Sequence, residues 1–148
     1  MDPSALVEPD TASRLLQALC FAWLGLVAGI SFLEAPVKFT APSVTRSIGL
    51  DVGRHVFAAL NKVELVLGAV ALGAFLLADL TAATQWILGG VFVILGVQTL
   101  GLLPALRAQA AAIIEGDLKR ASSSLHVGYV ALEVAKVVGL GCVGWFVG

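Results

Sequence analysis

A chain of 148 residues that is 59% hydrophobic and 13% charged, with mean hydropathy +0.97, is too apolar for an ordinary soluble domain. Its net charge of −1 and the absence of any basic cluster give nucleic-acid binding no support. Cys20 and Cys142 each lie inside an apolar run and belong to no C-x-x-C or Cys/His cluster, so neither a disulfide nor a zinc site is expected.

The leader MDPSALVEPDTAS carries Asp2, Glu8 and Asp10 but no Lys or Arg, the wrong charge for a secretion signal, and the apolar run after it is too long for one. That run is therefore read as a retained membrane helix over about 14–33, with Ser13 as its N-cap and Gly25 and Gly29 as a G-x-x-x-G. Glu34-Ala35-Pro36 is expected to end it, because the residue before a proline is pushed out of the helical region. A second span is predicted over 55–78, with Asn61, Lys62 and Glu64 inside it. A short turn at 79–83 joins it to a third over 84–103, which holds Gln98 and ends at Pro104. The fourth, 125–147, carries His126, Tyr129, Glu133 and Lys136 along one helical stripe. Trp86 and Trp145 suit interfacial anchors.

The sequence thus predicts an all-α, single-domain, integral membrane four-helix bundle. Loops 34–54 and 105–123 hold Lys38, Arg46, Arg54, Arg107, Lys119 and Arg120, whereas the other segments outside the spans hold only Arg14. By the positive-inside rule both loops are cytoplasmic, and both termini lie outside the plasma (inner) membrane.

Shifting the chain by 71 residues superposes His55 on His126, Gly68 on Gly139 and Gly73 on Gly144, which predicts a two-fold internal repeat of a transmembrane hairpin. The same shift brings Lys62 next to the level of Glu133, and predicts them as an intramembrane ion pair. Glu64, about 160° away on its helix, is left without an obvious partner.

An ionisable residue at mid-bilayer costs about 2.5–3.5 kcal/mol on insertion scales, so Lys62, Glu64, Glu133 and Lys136 are expected to face the bundle interior with Asn61 and Tyr129. Such a seam either binds or moves a small solute, ion or proton, or serves as an ion-pair bolt in a scaffold or accessory subunit of a larger membrane complex. His55 and His126, at matched depth, allow a bis-His haem site or a haem- or quinone-linked redox role, and with Glu34 they mark a cytoplasmic vestibule. No nucleophile–base set or phosphate loop is present, so an enzyme is not the favoured reading. Small-residue positions (Gly25/Gly29, Gly68, Gly73, Gly89, Gly90, Gly96, Gly139) favour a homo-oligomer or a membrane-complex partner within the lipid bilayer.

Gly29, Phe32, Pro36 and Phe39, followed by a short basic loop to Phe57, and then Pro104 with a return at His126-x-Gly128, make a pattern that resembles a family of small four-span membrane proteins known chiefly as a domain of unknown function. A fainter resemblance is to anthrone-oxygenase-like four-span proteins. Both imply the four-span architecture, and neither implies a specific activity or matches Lys62, Glu64, Glu133 and Lys136.

Overall fold

The computed structural model describes residues 9–117 and 123–147. Asp2 and Glu8 of the leader, and Lys119, Arg120 and Ser122 of the second loop, lie outside the described residues. The described chain is four long helical stretches and contains no strand.

The first stretch is α1 (Pro9–Val27), a π-helical segment (Ala28–Glu34), α2 (Ala35–Val37) and one 3-10 turn (Lys38–Thr40). α3 (Arg46–Leu77) follows. The third stretch is α4 (Ala82–Val97), a π-helical segment (Gln98–Leu102) and α5 (Leu103–Ile114), and the fourth is α6 (Ser123–Val147). All four stretches are long and apolar enough to cross a membrane, which makes this a multi-pass membrane protein by its helices. Threonines start two of them: Thr45 accepts from Ile48 N at 3.3 Å ahead of α3, and Thr81 from Thr84 N at 3.3 Å ahead of α4. Ser13, expected to be a cap, sits inside α1 instead.

The helices run on past the crossings read from sequence, and the two prolines do not stop them. Ala35, just before Pro36, is helical at φ −57 and ψ −46, and its N–H bonds to Ile30 O, five residues back. Leu103, just before Pro104, bonds in the same way to Gln98 O. Proline normally breaks a helix because its ring meets the carbonyl four residues earlier and it offers no N–H. The wider π turn relieves both conflicts, so each proline is absorbed into a continuous rod. Much of the expected loop 34–54 is likewise helical, because α3 begins nine residues before His55.

α1 packs on α6 and α3, α4 packs on α6, and α5 closes the ring against α3. The half of the bundle nearer the 79–81 turn is dry: Leu16, Cys20, Trp23 and Val27 of α1 meet Ala71 and Ala74 of α3, Leu88, Val91 and Leu95 of α4, and Leu140 and Val143 of α6. Close approach there depends on glycine. A Cβ on Gly139 would lie 2.8 Å from Val91 Cγ2, and one on Gly68 would lie 3.2 Å from Leu95 Cδ2. Gly25, Gly29, Gly73, Gly89, Gly90 and Gly96 meet nothing within 4 Å, so the expected G-x-x-x-G is not used inside this chain. Cys20 and Cys142 are both free thiols.

The outside is apolar, with Leu76, Val93, Leu100, Trp86 and Trp145 among its most exposed side chains, while Asn61, Glu64, Gln98, Glu133 and Lys136 are buried. This inversion is what a lipid solvent selects.

Candidate functional site

The stripe on α6 turns inward as its spacing requires. Tyr129, Glu133 and Lys136 are buried, the last two at 0% exposure, while His126 remains exposed at the start of the helix. Lys136 is the hub. Its ammonium lies 2.5 Å from Glu64 Oε1, donates to Gln98 Oε1 at 2.8 Å, and stands 3.3 Å from both carboxylate oxygens of Glu133. Trp23 Nε1 donates to Glu64 Oε1 at 2.8 Å, and Gln98 Nε2 donates to Glu133 Oε1 at 3.2 Å. One cation thereby ties α1, α3, the second π segment and α6 together. Near it, Asn61 Nδ2 donates to Thr99 Oγ1 at 2.8 Å.

The expected Lys62–Glu133 pair does not form. Lys62 is exposed on the outer face of α3, and Glu64 takes the interior place assigned to it. The cause is register. The buried positions of α3 and α6 coincide at a shift of 72 residues: Asn61 with Glu133, Glu64 with Lys136, Gly68 with Leu140, Ala71 with Val143. Aligning the histidines slips this by one residue, and one residue on a helix is a rotation of about 100°. Of the four ionisable residues expected inside, Glu64, Glu133 and Lys136 are therefore buried and Lys62 is not.

Beside this network, toward the end bearing the long loops, lies a cavity of about 430 Å³. Ser31 and Phe32 of the first π segment line it, and Phe32, Phe39, Phe57, Leu103, Leu106 and Val130 give it a mainly apolar wall. Tyr129 stands edge-on to Phe57 with ring centroids 5.6 Å apart. Lys38, Arg54 and Arg107 supply its cationic lining, and the His126 imidazole joins them. Lys38 pairs with Glu34 at 3.3 Å and lies 5.8 Å from the Phe39 and Phe57 ring centroids; Arg54 pairs with Asp51. Two glycines of α3 make room for these groups. A Cβ on Gly49 would run into the Phe39 ring, and one on Gly53 would lie 3.2 Å from Lys38 Nζ.

Two buried polar atoms among the lining residues have no hydrogen-bond partner: Glu133 Oε2 and Ser31 Oγ. Oε2 has the Lys136 ammonium 3.3 Å away, and the Tyr129 hydroxyl, one turn earlier on α6, interacts with the same carboxyl. Both oxygens are enclosed by protein, and Glu133 is the one ionisable residue that belongs to the buried network and to the cavity lining alike.

The histidine pair is not assembled. His55 is 72% exposed at its side chain, its Nδ1 is 2.8 Å from Asp51 O of its own helix, and it does not line the cavity. Only His126 does, so these two residues do not frame an axial-ligand site there. Glu34 reaches the site through Lys38 and not by lining it. Sequence reasoning missed Trp23 and the Gly49/Gly53 pair. A tryptophan in an apolar span looks like lipid-facing bulk, and nothing local reveals that its N–H meets a carboxylate. The Gly49/Gly53 spacing was visible, but lay in what was read as a loop.

Comparison with known proteins found no family model, no curated protein and no solved structure matching the chain.

Proposed function

We propose that this protein binds a small, largely apolar molecule in the cavity between its helices. The observation that carries this reading is the cavity itself, which lies between the helices with a mainly apolar wall and has Glu133, buried at 0% exposure, among its lining residues. The volume, about 430 Å³, is within the range of small-molecule sites, and so is the mix of apolar wall and few convergent polar groups. Binding is favoured over movement along the seam, because the dry core from Leu16 to Val143 closes the far half of the bundle.

The test uses naphthalene and thermal unfolding of the purified protein. A ligand held only by the folded state raises Tm by mass action. Naphthalene is expected to raise Tm of the wild type and not of Leu106→Trp, which fills the cavity; equal shifts in both would sink the reading.

The cationic end carries Lys38, Arg46, Arg54 and Arg107, which supports a cytoplasmic placement of the cavity mouth and an outward placement of both termini in the plasma (inner) membrane. The matched burial of α3 and α6, with a π segment and a proline in each hairpin's first helix, supports descent from a duplicated hairpin. A second reading, membership of a larger membrane complex, is favoured by Lys62, a cation on an otherwise apolar outer face that an acidic neighbour would neutralise.

A further inference from the structure

We infer that the cavity takes a single-chain fatty acid, its carboxylate at Arg107 and its hydrocarbon chain lying inward; this rests on the binding reading above and specifies its ligand. The lining is polarised along the bundle. Lys38, Arg54 and Arg107 stand toward the loop end of their helical stretches, whereas Phe57, Leu103 and Val130 stand deeper. From His126 at the loop end to Glu133 at the floor is seven residues of α6, a depth of about 10 Å. The enclosed Glu133 carboxyl therefore lies well away from a head group held by the cations. These cations are one carboxylate short of balance. Lys38 pairs with Glu34 and Arg54 with Asp51, and neither acid lines the cavity. Arg107, exposed on α5, has no hydrogen bond or ion pair among the described residues. A carboxylate brings the single negative charge that is missing, in a shape that the guanidinium fork receives with two parallel bonds. An alcohol leaves Arg107 unpaired, and an amine adds another cation. A phosphate monoester brings about −1.5 to −2, more than the one open charge.

The wall fixes the rest of the molecule. Phe32, Phe57, Leu106 and Val130 face the inner part of the cavity, and about 430 Å³ suits one hydrocarbon chain and not the two of a phospholipid. The head displaces nothing, because Lys38 and Arg54 keep their own carboxylates and Arg107 had none to give up.

The experiment is scintillation-proximity binding of tritiated decanoate to the purified full-length chain in a neutral detergent, competed by unlabelled decanol, decylamine and decyl phosphate. All four share the chain and differ in the head. A hydrogen bond to a charged group corresponds to a preference of roughly tenfold to a hundredfold, so decanoate is expected to bind at least about tenfold more tightly than decanol or decylamine. It is also expected to bind more tightly than decyl phosphate. Arg107→Gln, which breaks no bond of the folded chain, is expected to bring decanoate down to the affinity of decanol while naphthalene still raises Tm. If decanoate does not bind, if any competitor equals it, or if Arg107→Gln keeps the preference, the carboxylate assignment is wrong; a naphthalene shift lost in Leu106→Trp then still upholds the cavity. If naphthalene raises Tm of neither protein, or of both alike, the binding reading fails and the fatty-acid site with it.

Discussion

Lys136 and Lys62 bear the same charge and have opposite surroundings. Lys136 is enclosed by Glu64, Gln98 and Glu133, whereas Lys62 projects from the outer face of α3. Removing Lys136 leaves two buried carboxylates facing each other without a cation, and breaking a buried pair from one side destabilises by about 3–5 kcal/mol. Lys136→Leu is therefore expected to lose stability on that scale in unfolding experiments in mixed micelles. Lys62→Leu takes an ammonium off an apolar surface, and is expected to leave stability unchanged or raise it by up to about 3 kcal/mol. A Lys62→Leu loss as large as that of Lys136→Leu would mean that Lys62 has an interior role. The residue types that matter here were legible in the sequence: charged and amide side chains in apolar helices must be accounted for. Which of them pair was not legible, because that depends on rotation about a helix axis, to which an alignment by one histidine is blind.

At the level of the helices, the π segments decide the shape of the site. Ala28–Glu34 and Gln98–Leu102 each let a rod continue past a proline; the first supplies Phe32 to the cavity wall itself, and its continuation adds Pro36, Lys38 and Phe39. A π turn is in effect one residue inserted into an α-helix. Deleting Ile30 is expected to restore regular α geometry, in which the Pro36 ring meets a backbone carbonyl and bends the rod, moving Lys38 and Phe39 off the cavity wall. Circular dichroism should then show helix content retained, while naphthalene no longer raises Tm; a mutant that still responds would separate the cavity from the π segment. The four helices and their order were readable from hydropathy alone. Their lengths were not, since the rule that proline ends a helix holds for α geometry and says nothing of a wider turn. The same rule concealed Gly49 and Gly53, which became helix residues only once the first stretch and α3 had extended into the supposed loop.

Taken as a whole, the molecule has two unlike halves: a dry core beside the 79–81 turn, and a polar network with a cavity beside the long loops. The proposed orientation can be checked by impermeant thiol labelling of spheroplasts and inverted vesicles, in a background with Cys20 and Cys142 replaced by Ala. Ser43→Cys is expected to react only from the cytoplasmic face and Asp79→Cys only from the opposite one; the reverse pattern would invert the topology. The distribution of Lys and Arg is what proposes that orientation; the division into halves was not legible in the sequence, because it depends on which small residues happen to face each other across the bundle.

The sealed half also fixes where a transmembrane voltage acts. When water from the loop side fills the cavity, that side's potential reaches its floor, and the electric field then falls across the dry core from Leu16 to Val143. Moving one elementary charge through the whole field is worth about 2.3 kcal/mol per 100 mV, but a cation diffusing to the cavity floor would cross little of it. The rate at which a cationic methanethiosulfonate modifies Val130→Cys from the loop side is thus expected to be independent of an imposed diffusion potential in proteoliposomes. A severalfold change in that rate on reversing the polarity would place the floor inside the field, and the barrier nearer the mouth.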